Sequence, residues 1–223
     1  MPHPAPRATP LALALALALS PAAHAADPAP PRKPAELDKV EVVGKADAYV
    51  ATESSTATKT PTPLRDTPQS ITVVTQQLIR DQAMSNMADV VRYVPGVTMA
   101  QGEGNRDTPV LRGNSSTSDL YVDGMRDDVQ YLRDLYNIDR VEALKGPNAM
   151  IFGRGGSGGV INRVSKQPNW KTVREVSGQF GSWDKRRIAA DVGQAINDAS
   201  AFRITGVFED SDSYRDDYNV RRW

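Results

Sequence analysis

Two hydrophobic rhythms follow one another along this chain, and the change between them divides it. Ser70 to Val74 reads as a strand, and Gln76 to Gln82 and Ser85 to Tyr93 as two short helices. The second helix spaces Met87, Val90, Val91 and Val94 for one apolar face, and Pro95-Gly96 stops it. Val110 to Arg112, Leu120 to Val122, Val141 to Leu144 and Val160 to Val164 read as short strands, with Asp123-Gly124 as a tight-turn signal. Short helices, short strands and many turns predict an α+β domain ending near Pro168. After Trp170 the rhythm becomes strict alternation. Phe202, Ile204, Gly206 and Phe208 fall on one face and Arg203, Thr205 and Glu209 on the other, and Ile188, Ala190 and Val192 alternate with Arg187 and Asp191. Strands of about 10 residues with a short turn at Asn197 to Ser200 suit a transmembrane barrel with a wet lumen. A soluble sandwich produces the same alternation, so periodicity does not choose between them.

Before Ser70 the rhythm is absent except at one place. Asp27 to Leu37 is rich in Pro and Ala and reads as an extended tether. Asp38-Lys39-Val40-Glu41-Val42-Val43-Gly44 then alternates charged and β-branched residues, the pattern of a short strand, and Ala46 to Thr67 is polar again. A strand between two flexible linkers has no partner in its own domain. Either it is an accident of composition or it waits for another protein's sheet edge. At the start, Arg7, the Leu-Ala run from Leu11 to Leu19 and Ala23-His24-Ala25 read as a secretory signal peptide, cleaved after Ala25. The run is too short for a membrane-spanning helix, which needs about 20 apolar residues. The predicted organisation is therefore 1–25 signal peptide, 26–66 flexible segment, 67–168 α+β domain and 169–223 alternating strands.

Composition removes several classes of function. Lys plus Arg and Asp plus Glu both number 27, so no global field favours nucleic acid. There is no cysteine, and the two histidines, His3 and His24, fall in the predicted signal peptide. The mature chain then has neither thiol nor imidazole, no metal-ligand motif stands out, and no catalytic constellation is expected. Gly153-Arg154-Gly155-Gly156-Ser157-Gly158 fits the dinucleotide pattern G-x-G-x-x-G, but that pattern needs a helix next, and Val160 to Val164 reads as a strand.

Six ordered motifs resemble the plug domains of TonB-dependent outer-membrane receptors: Thr67-Pro68-Gln69-Ser70-Ile71-Thr72-Val73-Val74, Val94-Pro95-Gly96-Val97, Leu111-Arg112-Gly113, Tyr121-Val122-Asp123-Gly124, Ile138 to Pro147, and Gly158-Gly159-Val160-Ile161-Asn162. The resemblance implies an α+β plug, a mixed short-stranded sheet with short helices, followed by the first antiparallel strands of a transmembrane β-barrel. In this family the barrel is 22-stranded with a filled lumen. About three strands follow the plug, so the sequence looks like an N-terminal fragment with Ser211 to Trp223 in an unfinished extracellular loop. Asp38, Lys39, Val40, Glu41, Val42, Val43 and Gly44 look like the TonB box, which pairs with the energy-transducing protein TonB by strand addition. The short stretch before the box leaves no room for an N-terminal signalling domain.

The resemblance also implies residue roles. Arg112 and Lys145 match basic positions that pair with the inner barrel wall and latch the plug, and Glu142 joins the same network. Gln101 to Thr108, Asn114 to Asp119 and Met125 to Asp134 occupy the positions of apical loops, offering Arg106, Asn114, Arg126, Tyr131 and Arg133 to the ligand. Guanidinium groups neutralise and stack on anionic catecholates, which favours ferric catecholate siderophore as the transported ligand, with no enzymatic cofactor. The implied function is energised siderophore uptake at the cell outer membrane. A passive exported plug-like binding module is the alternative.

Overall fold

A computed structural model describes residues 49–56, 59–60, 62–146, 149–153 and 158–223. The predicted signal peptide and the Asp38–Gly44 strand lie outside the described residues. The chain divides into two units, Met1–Val43 and Gly44–Trp223, and every described residue belongs to the second.

The elements are β1 (Glu53–Ser54), β2 (Thr62–Pro63), β3 (Ser70–Thr75), α1 (Gln76–Asp81), α2 (Met87–Val91), β4 (Val97–Gly102), β5 (Arg106–Leu111), β6 (Asn114–Ser115), β7 (Leu120–Val122), β8 (Met125–Arg126), β9 (Ile138–Lys145), α3 (Ala149–Phe152), β10 (Gly159–Ser165), β11 (Val173–Phe180), β12 (Arg186–Asn197), β13 (Ser200–Ser211) and β14 (Val220–Arg222). A five-stranded mixed sheet in the order β3-β9-β10-β7-β8 forms the centre of the α+β domain. β10 runs antiparallel to β9 and parallel to β7. Alternation gives the sheet two faces. Val74, Leu120, Val141, Ala143 and Ile161 pack on one side with Ile79 of α1 and with Met87, Val90 and Val91 of α2. Tyr121, Leu144 and Val160 form a smaller cluster on the other, with Ile71 and Phe152.

Local chemistry sets the boundaries. The Thr75 hydroxyl caps α1 by accepting from the Leu78 N–H, and the Asn86 side chain caps α2 by accepting from the Asp89 N–H. Asp123 and Gly124 both have positive φ, 50° and 81°, as a two-residue hairpin between Val122 and its partner Met125 requires. Gly158-Gly159 is demanded by close approach, since a Cβ at Gly159 would stand 2.4 Å from the Leu144 carbonyl oxygen. A strand, not a helix, follows these glycines, which leaves the dinucleotide pattern without the element it needs.

Three expectations need correction. Gln101–Thr108, expected as loop, is largely a β-hairpin in which β4 pairs with β5 from Val97↔Leu111 to Gly102↔Arg106. The flexible segment expected up to residue 66 is, in its described part, packed on the domain. β1 pairs with β2, the Leu64 N–H donates to the Thr52 carbonyl at 2.9 Å, and Ser54 and Thr56 are buried. Ser211–Trp223, expected to be loop, is loop over 212–219: Ser211 ends β13, and Val220–Arg222 returns as β14, which pairs with the end of β13.

β11 to β14 form a separate four-stranded antiparallel sheet in sequence order. Val176, Phe180, Ile188, Val192, Ile204 and Phe208 are exposed, while Arg187, Asp191 and Glu209 are buried. A soluble sandwich would bury the apolar face. Here the polar face is covered by the α+β domain and the apolar face points away from it, which is the barrel-wall arrangement. No described helix is long and apolar enough to cross a membrane.

Candidate functional site

The loop from Met125 to Asp134 was expected to present arginines to a ligand, and its geometry gives them unequal roles. Arg133 is 1% exposed. Its Nε donates to Asp127 Oδ2 at 3.0 Å, Nη1 to the Tyr131 carbonyl at 3.1 Å, and Nη2 to the Asp127 and Val129 carbonyls, both at 2.7 Å. The guanidinium carbon also lies 4.4 Å from the centre of the Tyr131 ring. Four donor contacts fold the loop around this one side chain, so Arg133 is an internal brace rather than a free loop cation. The Arg133 N–H donates to Asp107 Oδ2 at 2.7 Å, bringing β5 into the same cluster. Asp107 is itself buried, and burial pushes its carboxyl above the ordinary range against the pull of Arg133 and of the Arg163 and Arg222 charges.

The other expected ligand residues are spread out. Tyr131 is 39% exposed, with its hydroxyl donating to Asp127 Oδ2 at 2.7 Å and accepting from Arg163 Nη2 at 3.0 Å. Arg126 lies against Tyr121, donating to its hydroxyl at 3.3 Å. Arg106 is paired with Glu103 at 2.8 Å across the β4–β5 hairpin. Asn114 is exposed and sits opposite Leu111. Arg106 and Leu111 are the two ends of β5, which at about 3.3 Å per residue places Arg106 and Asn114 roughly 16 Å apart. The structure therefore joins Tyr131 and Arg133 and does not gather all five residues into one site.

This difference makes a stability prediction. Arg133→Ala leaves the buried Asp107 without its nearest cation and Asp127 with Arg163 alone, and is expected to destabilise the fold by about 3–5 kcal/mol. Arg106→Ala removes a pair with a largely exposed Glu103 and is expected to change stability by less than about 1 kcal/mol. Denaturant unfolding of both variants checks the contrast.

The residues expected to latch the domain also separate. Glu142 is buried and accepts from Ser54 Oγ at 2.7 Å and from Arg140 Nε at 2.7 Å, so it holds the entering segment instead of joining Arg112 and Lys145. Burial would lower the Arg140 pKa, but Glu142 and Asp139 more than offset it and hold it above the ordinary range. Lys145 Nζ reaches the Pro95 carbonyl at 3.5 Å, and the Arg112 N–H donates to the neighbouring Gly96 carbonyl at 3.0 Å. Arg112 is exposed and has φ 51°, unusual for a residue with a side chain.

A different set of charges joins the α+β domain to the strands, and the residue pattern alone did not identify it. Arg187 donates from Nη2 to Asp134 Oδ1 and from Nη1 to Asp134 Oδ2, both at 2.6 Å. Its Nη1 also reaches Glu209 Oε2 at 2.6 Å, and Arg222 Nη1 reaches Asp134 Oδ2 at 2.8 Å. Lower on the same wall, Asp191 is paired by Arg203 at 2.7 Å and by Lys166 at 2.9 Å. The signal lay in the alternation. Alternation puts Arg187 and Glu209 on the polar face, the register shift between Ala195 and Asn197 sets them opposite each other, and a charged pair facing inward needs a partner from whatever it covers. Among the described residues no group of three His, Cys, Asp or Glu is arranged to hold a metal ion.

Comparison with known proteins fits this architecture. The model of the TonB-dependent Receptor Plug Domain matches residues 63–160. The chain is similar to the probable TonB-dependent receptor BfrD of Bordetella pertussis, with 38% identity over 187 residues that cover 82% of this chain and 24% of BfrD. It is also similar to the catecholate siderophore receptor Fiu of Escherichia coli, with 33% identity over 192 residues that cover 83% of this chain and 25% of Fiu. The open-form crystal structure of the Escherichia coli K12 ferric-catecholate import receptor Fiu superposes with a TM-score of 0.71 at 34% identity, covering 78% of this chain and 26% of that one. The chain spans about a quarter of the length of these relatives.

Proposed function

Because the chain belongs to the TonB-dependent receptors, with a plug domain over residues 63–160, we propose that it receives ligand and couples energy in an outer-membrane receptor for ferric siderophore, with catecholate favoured. The observation that carries this reading is the seating of the plug. An α+β domain is held by Asp134 to the polar face of strands whose opposite face is apolar and exposed. That arrangement suits a filled barrel in lipid.

In this reading Met1 to Ala25 is a cleaved export signal, and Asp38 to Gly44 is the box that adds a strand to TonB. Tyr131, Arg126, Arg106 and Asn114 meet the ligand, while Arg133 shapes the loop that carries Tyr131. Arg112 and Lys145 face barrel wall other than β11 to β14, and the positive φ of Arg112, with that of Gly113, is what the two-residue turn between the paired Leu111 and Asn114 requires, which sets Arg112 at the tip of a hairpin. The relatives are named as receptors, which supports a transport role with ferric siderophore as the ligand. The lean to catecholate rests on the arginine-tyrosine chemistry of the apical loops, supported by the similarity to a receptor named for catecholate siderophore.

The test is uptake of radiolabelled iron by an iron-starved strain whose own siderophore receptors are deleted, carrying the complete receptor. Uptake of a ferric tris-catecholate is expected to exceed that of a ferric hydroxamate and to vanish when TonB is absent. Equal binding with no TonB-dependent uptake would favour a passive binding module, and uptake of the hydroxamate alone would overturn the catecholate assignment.

A further inference from the structure

Strand β10 carries Asn162 and Arg163 side by side, and neighbouring residues of a strand point to opposite faces. Both are buried, although both are polar. Arg163 lies on the face that holds the two helices, and its Nη2 binds both the Tyr131 hydroxyl, at 3.0 Å, and the Asp127 carboxylate. Asn162 lies on the face that receives the entering chain. Its Oδ1 accepts from the Gly124 N–H at 2.9 Å, and its Nδ2 donates to Thr56 Oγ1 at 3.0 Å. Two residues before Thr56, Ser54 is bound to Glu142, the register partner of Asn162 on β9.

The charges beneath the loop number two on each side, Asp107 and Asp127 against Arg133 and Arg163. A neutral buried knot offers a ligand little field. Well-packed apolar side chains often replace buried ion pairs without loss of stability, so stability alone does not account for it. What the knot does supply is geometry. Arg163 and Asp127 together fix the hydroxyl of Tyr131, a ring that stays 39% exposed. Arg163 is held in turn by a central strand whose ladder to β9 runs from Gly159↔Lys145 to Ser165↔Ile138. A shift of either anchor is therefore carried over one residue step, about 3.3 Å, to the other.

We propose that Arg163 is a positioning residue of the ligand-facing loop, and that with Asn162 beside it β10 is the physical link between that loop and the segment entering the plug at residues 49–56. The proposal rests on the reading of the 125–134 loop as ligand-facing.

The experiment uses the complete receptor in detergent, with Arg163→Met, Arg163→Lys and Tyr131→Phe. Amide hydrogen exchange is measured without ligand, and affinity is measured with a ferric tris-catecholate. Arg163→Met is expected to speed exchange in both 125–132 and 49–56 and to weaken binding about tenfold, equivalent to about 1.4 kcal/mol. Arg163→Lys restores part of both effects. Tyr131→Phe, which removes one hydroxyl and keeps the ring, is expected to speed exchange in 125–132 and decides the positioning role should Arg163→Met fail to fold. Exchange in 125–132 unchanged in Tyr131→Phe and in any folded Arg163 variant overturns the positioning role. A loosened loop with 49–56 unchanged in Arg163→Lys and in a folded Arg163→Met overturns the link. Altered exchange in a receptor whose parent takes up no siderophore sinks the ligand reading alone and leaves the link standing.

Discussion

Asp134→Ala is expected to loosen the plug from the strands that cover it, at about 3–5 kcal/mol, the range for removing one member of a buried ion cluster. The carboxylate accepts from two nitrogens of Arg187 and one of Arg222, and also from the N–H groups of Leu135 and Tyr136. Without it Arg187 keeps only Glu209, and the buried charge is half paired. Denaturant unfolding of the complete receptor in detergent measures the effect. Arg80→Ala is the control, since it breaks the Arg80–Glu175 pair across the same interface where both side chains are 41–50% exposed, and it should cost less than about 1 kcal/mol. Equal midpoints for the two variants would show that the Asp134 cluster does not hold the plug. Acidification repeats the test without mutation. Burial alone would raise the Asp134 pKa, but the hydrogen bonds and charge of Arg187, with Tyr136 and Arg222, hold it below 3.8. A lowered carboxyl pKa gives stability that is present above the ordinary value and lost as pH falls from 3.8 through the folded value. Asp107 has the opposite sign: its raised pKa means that protonation relieves a penalty present at neutral pH.

The sequence was most legible where one residue's neighbours decide its place. Met87, Val90, Val91 and Val94 are buried as their spacing requires, and Asp123-Gly124 makes the tight turn its residue types demand. Alternation in β12 and β13 located the two faces, but only tertiary packing shows which one is covered. Only the end of β5 was read, as Val110 to Arg112, because Arg106-Asp107-Thr108-Pro109 has the composition of a loop, and that part of the strand exists through pairing with β4 and burial of Asp107. The Asp134 cluster joins residues 53 and 88 positions apart, a distance at which no local pattern operates. Glu142 was read with Arg112 and Lys145 on the family resemblance, which does not say which way its side chain faces. On β9, however, Glu142 faces the entering segment, where Ser54 meets it. Arg133 shows the general limit: a loop arginine beside acids reads as a ligand contact or a solvated charge, and only the closed geometry reveals a brace.

Val42→Pro is expected to abolish transport while leaving siderophore binding intact. Val42 lies outside the described residues, and the case for it comes from the alternation of Asp38 to Gly44 and from the anchors of the segment after it. The chain that enters the plug is held at Ser54 and Thr56 and at Tyr49, whose hydroxyl donates to Asp81. A pull on a strand added at residues 38–44 would therefore act directly on those anchors. Such a strand bears load through backbone hydrogen bonds, which any side chain can accompany but proline cannot, because proline lacks the donor and fixes φ. Val42→Ala keeps both and serves as the control. In cells carrying the complete receptor, uptake of a ferric tris-catecholate should fall to the level of a TonB-deficient strain in Val42→Pro and stay near the parental rate in Val42→Ala. Affinity for the ligand should stay within about twofold of the parent in both, a change of less than about 0.5 kcal/mol. Parental uptake in Val42→Pro at equal receptor abundance would mean that Asp38 to Gly44 is not the coupling segment. Lost binding together with lost uptake would instead place residue 42 in the fold of the ligand site.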